Sequence, residues 1–189
     1  MNITIGMDEA GRGPWAGPLT AAACFIPKNT RLPGLNDSKK LSPKKREELF
    51  HLIKSKTFCG IGTATTKEVE KGLKYALNLA YQRALKQIDL EPDNLIIDGR
   101  DKLDLPFPYK SIIKGDQKER PIMAASILAK VTRDKMMEKM HKKHPNYRFD
   151  LHKGYGTRLH RSMLQKHGIC SIHRKQFYIA SFGKKLGNL

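Results

Sequence analysis

Cysteine is scarce and scattered in this 189-residue sequence. Cys24, Cys59 and Cys170 lie far apart, and no two of them form a Cys-x-x-Cys pair. This spacing excludes a disulfide framework and a zinc ribbon, and it favours a reducing compartment. Long hydrophobic runs are also missing, since no stretch approaches the ~18 apolar residues that a membrane-spanning helix needs. Asp8 and Glu9 interrupt the place where a signal peptide would be apolar. We therefore expect a cytoplasmic protein without a membrane segment.

Acidic residues are the next shortage. The chain has 18 Asp and Glu against 36 Lys and Arg, a formal net charge of +18. The imbalance is concentrated at one end, because residues 130–189 contain fifteen basic and only three acidic side chains. Such asymmetry is typical of a surface that binds a polyanion. A basic surface that serves only solubility is the alternative, and we favour nucleic acid as the partner.

Apolar periodicity predicts a single α/β domain spanning residues 1–189, because no repeat or linker divides the chain. Strands are predicted at residues 3–7, 19–26, 58–65, 95–97 and 109–113. Helices are predicted at residues 42–54, 66–88, 121–144 and 157–167, with a loop at 145–157. Interleaved strands and helices of this kind form an α/β sandwich around a mixed sheet. The basic residues from about 145 onward are expected to form a helical C-terminal extension.

Four acidic residues follow predicted strands or turns. Asp8 and Glu9 come after the first strand, Asp98 ends the 95–97 run, and Asp116 follows a glycine. Ligands of α/β sheets gather at strand ends, so these side chains are predicted to converge. In a regular strand Asp8 and Glu9 would point to opposite faces. We therefore expect the strand to end before them, with Gly11 permitting the break.

Four neighbouring carboxylates would repel one another and raise each other's pKa values, a conflict that divalent cations remove. Oxygen-only ligands suit Mg²⁺ or Mn²⁺. Two such ions, about 3.5–4 Å apart, can activate water and stabilise the leaving oxygen in phosphodiester cleavage. Asp8 is the expected bridging ligand. In the alternative interpretation Asp98 only forms a turn and Asp116 only caps one. Asp134, a rival fourth acid between two basic residues, is expected to form a surface ion pair.

Six segments, in this order, resemble the type 2 ribonucleases H and specifically the bacterial ribonuclease HII family. The resemblance extends from residue 3 to about residue 180. The segments are residues 8–14 (DEAGRGP), 37–41 (DSKKL), 97–99 (IDG), 115–116 (GD), 124–134 (AASILAKVTRD) and 152–157 (HKGYGT).

The resemblance implies a ribonuclease H-like fold, with a mixed five-stranded sheet flanked by helices. It implies a metal-dependent endoribonuclease that cleaves RNA in RNA–DNA hybrids and incises 5′ of single ribonucleotides in duplex DNA. The products would carry 3′-hydroxyl and 5′-phosphate ends. The family's metal ligands map onto Asp8, Glu9, Asp98 and Asp116, which would hold two Mg²⁺ or Mn²⁺ ions with substrate bound. The extra N-terminal domain of the related type III enzymes is not expected.

The resemblance also implies substrate contacts. The backbone of Gly11, Arg12 and Gly13 would sense the 2′-hydroxyl, the group that separates RNA from DNA at one position. Tyr155 would pack on the neighbouring sugar, although without the family a core anchor is an equal interpretation. Ser38 and Lys39 would hold substrate phosphate, as would Lys40. The alternative for the two lysines is a solvated approach to the next helix.

Other features predict less. Six histidines between residues 141 and 173 are interpreted as solvated or phosphate-contacting, because their spacing does not indicate a zinc site. Cys24 is expected to be a small buried hydrophobe. Trp15 is expected either to stack near substrate or to fill a core gap. A monomer is expected. Residues 182–189 are too nondescript to predict a clamp-binding tail, and a clamp interaction is left open.

Two competing function classes remain at this point. One is a nucleic-acid-binding module without catalysis, in which the acidic residues are structural. The other is a different metal-dependent phosphoryl-transfer enzyme on a similar fold. Loss of cleavage on replacing Asp8 would exclude the first, and survival of an all-DNA duplex would exclude the second.

Overall fold

A mixed five-stranded sheet forms the centre of the fold in the computed structural model, which describes residues 2–179 and 183–188. The strands, in spatial order, are Phe58–Ala64 (β3), Leu19–Phe25 (β2), Thr4–Ala10 (β1), Asn94–Asp98 (β4) and Tyr109–Ile112 (β5). β1 is antiparallel to β2 and parallel to β4, and β4 is parallel to β5. The carboxyl ends of β1 and β4 therefore lie side by side. The predicted fold class is confirmed.

Six α-helices are described around this sheet. They are Pro43–Lys56 (α1), Thr66–Glu70 (α2), Leu73–Leu85 (α3), Arg120–Lys143 (α4), Phe149–His152 (α5) and Arg158–His167 (α6). Short 3-10 turns lie at Ser38–Lys40, Gly115–Gln117, Pro145–Tyr147 and Leu186–Asn188. None of the described helices has the length and apolar content needed to span a membrane.

Several predicted elements differ from those of the structure. The helix predicted over residues 66–88 is divided into α2 and α3, because Gly72 has a φ of 132° that a helix cannot accommodate. The predicted loop at 145–157 contains a 3-10 turn and α5. The C-terminal extension is not purely helical, since Tyr178–Ile179 (β6) pairs with Lys184–Lys185 (β7) in a small antiparallel sheet.

Hydrophobic layers cover both faces of the central sheet. On one face α3 packs against β1 residues such as Met7. On the other face α1 and α4 pack against β2 residues that include Ala22 and the buried Cys24, as expected for that cysteine. A Cβ atom on Gly6 would lie 2.4 Å from the backbone nitrogen of Ile122, so the start of α4 rests directly on β1. This contact brings the first turns of α4 close to the carboxyl end of β1.

The end of β1 differs from the prediction. The strand does not stop at Met7 but continues through Asp8 and Glu9, which pair in register with Ala22 and Ala21 of β2. The ladder with β2 keeps the backbone extended here, and the break comes only at Gly11, with a φ of 102°. Asp8 and Glu9 therefore lie on opposite faces of the sheet.

Candidate active site

Three aspartates converge at the carboxyl ends of β1 and β4. Asp8 comes from β1, Asp98 is the last residue of β4, and Asp116 lies in the 3-10 turn before α4. One carboxylate oxygen from each lies within 4.8 Å of the others. The Gly115 N–H donates to Asp98 Oδ1 at 2.7 Å, which attaches the turn to the strand end. These three residues are called the aspartate cluster below.

The cluster concentrates negative charge in a buried place. Asp8 is only 7% exposed. Burial, followed by the charges of Glu9 and Asp98, holds the pKa of Asp8 well above its ordinary value. The Glu9 N–H, which donates to Asp8 Oδ1 at 2.7 Å, offsets part of this shift. A divalent cation would stabilise the ionised form of these carboxylates, whose oxygen atoms are its preferred ligands.

Lys39 supplies one positive charge to the cluster. Its Nζ donates to Asp116 Oδ2 at 2.9 Å, while 76% of the Lys39 side chain stays exposed. Ser38 lies deeper, because its hydroxyl shares a hydrogen bond of 2.8 Å with the Ser126 hydroxyl. Lys39 approaches Asp116 from the solvent side with a flexible side chain, so another cation can readily replace it at Asp116.

The Glu9 carboxylate is hydrogen-bonded to α3 and does not belong to the aspartate cluster. The buried Tyr81 hydroxyl donates to Glu9 Oε2, and the Arg12 guanidinium lies 3.2 Å from Glu9 Oε1. Burial is the largest cause of the raised pKa of Glu9. Arg12 also forms a two-armed ion pair with Asp101, one arm of which is 3.1 Å long. Tyr81 and Asp101 were missed from the sequence, because neither belongs to a local motif.

A cleft of about 350 Å³ joins these features. Almost every residue predicted to act on substrate lines it, and Asp116 lies beside it in the aspartate cluster. The lining includes Asp8, Glu9, Gly11, Arg12, Gly13, Ser38, Lys39, Asp98 and Tyr155, together with Arg46, Ser126 and Lys130. The structure thus brings together segments that are up to about 150 residues apart in sequence.

Tyr155 is an exposed residue of this cleft and not a core anchor. Tyr155 is 40% exposed to solvent. The ring faces the Arg133 guanidinium at 5.6 Å and the Lys130 ammonium at 5.9 Å. A planar ring that is supported from below by two cations offers a flat apolar surface to a sugar.

The prediction that the histidines are solvated was wrong for three of them. His152, His160 and His173 are buried, with the first two rings stacked at 4.3 Å and the Nε2 atoms of His160 and His173 3.0 Å apart. Burial lowers the pKa of His160 to about 3 and that of His173 to about 4. They lie among the aromatic residues of a third hydrophobic cluster, including Phe149, and sequence spacing gave no sign of this.

Two smaller expectations concern Asp134 and Trp15. Asp134 forms the expected ion pair, with Lys130 Nζ at 2.9 Å. Trp15 fills a gap, since a Cβ atom on Gly156 would lie 2.3 Å from its ring. The Trp15 ring also packs 5.4 Å from the His160 ring. Of the tail considered for clamp binding, Phe182 and Leu189 lie outside the described residues.

The sequence matches the ribonuclease HII family model over residues 5–180. The chain belongs to the ribonuclease HII family. The ribonuclease HII of Idiomarina loihiensis is 48% identical over 177 residues, which cover 93% of this chain and 95% of that protein. The protein is therefore a nuclease of a hydrolytic family that cleaves RNA in RNA–DNA hybrids and depends on divalent metal ions.

Solved structures of ribonuclease HII proteins agree with this assignment. A chain of the PCNA:RNase HII complex from Archaeoglobus fulgidus superposes with a TM-score of 0.78 at 26% identity, covering 94% of this chain and 96% of that one. Ribonuclease H2 from Pyrococcus horikoshii OT3 superposes with a TM-score of 0.74 at 27% identity, covering 95% and 96%.

Proposed function

We propose that this ribonuclease HII hydrolyses the RNA strand of RNA–DNA hybrids and incises duplex DNA on the 5′ side of a single ribonucleotide. The products carry 3′-hydroxyl and 5′-phosphate ends, and two divalent ions take part. One observation carries the proposal: the aspartate cluster shares one cleft with Gly11, Gly13 and Tyr155. A cation site and a sugar-reading surface are therefore close enough to act on the same nucleotide.

The residues present fit a divalent cation. The three clustered oxygens are carboxylate oxygens, which Mg²⁺ and Mn²⁺ prefer, and burial keeps Asp8 difficult to ionise without a positive partner. We assign Asp8, Asp98 and Asp116 as ligands. Glu9 is proposed as a further ligand because it lines the same cleft. Bound divalent ions supply Lewis acidity, which lowers the pKa of water and stabilises the leaving oxygen.

The other cleft residues bind and orient the substrate in this proposal. Lys39 and Arg12 face the phosphates, since both are cations at the cleft wall. The Gly11 to Gly13 backbone contacts the ribose closely, because Gly13 has no Cβ atom to stand between the loop and the sugar. The Tyr155 ring packs on the neighbouring sugar. The water that attacks is the nucleophile, so the 2′-hydroxyl is recognised and does not react.

An incision assay tests this function. A labelled duplex with one embedded ribonucleotide should be cut at its 5′ side when Mg²⁺ or Mn²⁺ is present, and the cut should disappear with a chelator. The matched all-DNA duplex should stay intact, because it lacks the 2′-hydroxyl. Equal cutting of both duplexes, or cutting in the presence of chelator, would overturn the proposal.

We further propose that the protein acts as a cytoplasmic monomer. One chain contributes every residue of the cleft described above, and its cysteines are free, which suits a reducing compartment. Sedimentation equilibrium should return a mass near 21.5 kDa. A stable dimer at assay concentrations would contradict the monomer.

A further inference from the structure

Two arginines are buried beneath the wall of the cleft. Arg133, on α4, is 1% exposed, and Arg174, which precedes β6, is 0% exposed. Neither forms an ion pair with a carboxylate among residues 2–179 and 183–188. Burial, together with the charge of Arg133, lowers the pKa of Arg174 to about 9. Buried cations are costly to maintain, so their hydrogen bonds need an explanation.

Arg174 is satisfied by backbone carbonyls of residues 11–18, called the glycine loop below. Its Nη2 donates to the Gly11 carbonyl at 2.7 Å and to the Pro18 carbonyl at 3.0 Å. Its Nη1 donates to the Arg12 carbonyl at 3.0 Å, and its Nε donates to the Gly17 carbonyl at 2.9 Å. One planar guanidinium therefore connects both ends of the glycine loop.

Arg133 holds a different part of the same region. It donates to the carbonyls of Pro18 at 2.9 Å, Ala16 at 3.2 Å and Lys153 at 3.0 Å. Its guanidinium also supports the Tyr155 ring. In the described structure Arg133 donates to neither the Gly11 nor the Arg12 carbonyl, and the two arginines share only the Pro18 carbonyl.

The Arg174 contacts determine where the backbone N–H groups of the glycine loop point. The described chain has no cis peptide bond. In a trans peptide the carbonyl and the N–H point in opposite directions. When the Gly11 and Arg12 carbonyls face the buried guanidinium, the N–H groups of Arg12 and Gly13 face away from it. Arg12 and Gly13 both line the cleft.

We propose that Arg174 is a positioning residue for sugar selection. Its guanidinium fixes the Gly11 and Arg12 peptide planes, so that the N–H groups of Arg12 and Gly13 are presented to the 2′-hydroxyl. This inference depends on the proposed function of the cleft. Arg174 itself never touches the substrate. The identity of Gly11 follows too, since a Cβ atom there would lie 2.3 Å from Arg133 Nε and would displace the second arginine.

The Arg174→Lys variant tests the proposal, because it keeps the charge while one ammonium cannot reach four carbonyls in a planar arrangement. Affinity is measured with chelator present, for a duplex containing one ribonucleotide and for the same duplex in all-DNA form. We expect the preference for the ribonucleotide to fall about tenfold, which corresponds to the loss of one well-formed charge-assisted hydrogen-bond arrangement. Affinity for the all-DNA duplex should stay within about twofold, since phosphate contacts are unchanged.

Amide hydrogen exchange in the free protein provides a readout that does not depend on the substrate. In Arg174→Lys the amides of Arg12 and Gly13 should exchange faster, while core strands should keep their protection. Arg133→Lys is the matched control, with similar burial and a neighbouring position. It should leave the Arg12 and Gly13 amides near their original exchange rates, because Arg133 donates to neither the Gly11 nor the Arg12 carbonyl.

The outcomes separate this inference from the function on which it depends. A wild-type protein without any preference for the ribonucleotide would overturn the proposed function, whereas the exchange data would still decide whether Arg174 orders the loop. An unchanged preference in folded Arg174→Lys would overturn the inference alone. If that variant does not fold, amide NMR of the wild-type protein decides. The Arg12 and Gly13 signals should shift with the ribonucleotide duplex and not with DNA, and equal shifts would overturn the inference.

Discussion

Two groups of charged side chains are buried in this protein, and they differ in what neutralises them. The aspartate cluster carries negative charge, with backbone N–H donors to Asp8 and Asp98 and the exposed Lys39 on Asp116. The arginine pair beneath the glycine loop carries positive charge and is surrounded by backbone carbonyls. Asp98 is half-buried and the other four residues are buried, but only the arginines have most of their hydrogen-bonding atoms engaged by the fold itself.

This difference separates a site from a scaffold. Carbonyl oxygens accept from most of the N–H donors of Arg133 and Arg174. Burial lowers the pKa of Arg174 to about 9, which still leaves its guanidinium charged at neutral pH. The aspartate cluster keeps a raised Asp8 pKa, which means that the folded chain alone does not stabilise its ionised form. We therefore expect the cluster to respond to added cations and the arginines to respond only to loss of structure.

The largest expected effect comes from Asp8→Asn. Incision of the single-ribonucleotide duplex should fall by about 10³-fold or more, because a charged ligand is lost. The free energy of unfolding measured without metal should stay equal or rise, since a buried carboxylate with a raised pKa disappears while its hydrogen bond to the Glu9 N–H can persist. Single-turnover kinetics and urea unfolding measure the two quantities. An active variant would remove the aspartate cluster from catalysis.

Arg133→Met should lower the free energy of unfolding by about 3–5 kcal/mol. The substitution leaves the carbonyls of Ala16, Pro18 and Lys153 without their buried donor. Urea unfolding measures the change. Arg83→Met is the control, because Arg83 pairs with Glu68 at 2.8 Å near the surface and should cost about 1 kcal/mol. Equal losses in both variants would mean that the buried arginine is not a special support.

Acid should destabilise the protein through its buried histidines. The pKa of His173 is about 4 in the folded chain and about 6.5 in the unfolded chain. Below pH 6.5 the unfolded chain therefore binds a proton that the folded chain does not bind. Stability is therefore lost as the pH falls from 6.5 toward 4. Asp8, whose pKa is raised, acts in the opposite direction.

The contribution of His173 is isolated by His173→Gln. Between pH 6.5 and 4.5 the variant should lose about 2 kcal/mol less stability than the parent protein. Urea unfolding at each pH gives both slopes. His51→Gln, at an exposed histidine on α1, is the matched control. Parallel slopes for the parent and His173→Gln would show that the buried ring does not resist protonation.

The smallest expected effect is stabilisation by divalent ions. At a Mg²⁺ concentration about ten times its dissociation constant, the free energy of unfolding should rise by about 1.4 kcal/mol. The melting temperature should rise accordingly in the wild-type protein and much less in Asp8→Asn. The same titration on Arg133→Met should retain the full increment, because that variant leaves the aspartate cluster intact. An increment that survives in Asp8→Asn would place the ion elsewhere.

The aspartate cluster was predictable because its signals are local. Asp8, Asp98 and Asp116 each follow a short apolar run or a glycine, and parallel strands end at the same edge of a sheet. The side to which Glu9 points was not predictable in the same way. The strand was expected to end before Asp8, whereas hydrogen bonding with β2 extends it to Ala10. Pairing with a distant strand outweighed the local glycine signal.

The contacts between Arg174 and the glycine loop could not be predicted from a local sequence pattern. Arg174 lies more than 150 residues from Gly11, and it recognises carbonyl oxygens, which every residue has. No side-chain pattern at residues 11–18 therefore predicts this partner. His160 and His173 were misjudged for a similar reason, since only the folded chain shows that aromatic rings enclose them. Their spacing suggested solvated side chains, whereas His160 and His173 are buried.

Trp15 and Gly156 have a consequence for how the enzyme could be altered. The indole ring occupies the space that a Cβ atom on Gly156 would take, and the backbone N–H of Trp15 donates to the Gly154 carbonyl at 2.8 Å. The glycine loop and the segment that carries Tyr155 are therefore packed directly against each other, and the space between them cannot be widened by changing one segment alone. An engineer who wishes to admit a bulkier sugar would have to redesign both segments at once, because a change on one side is transmitted directly to the other.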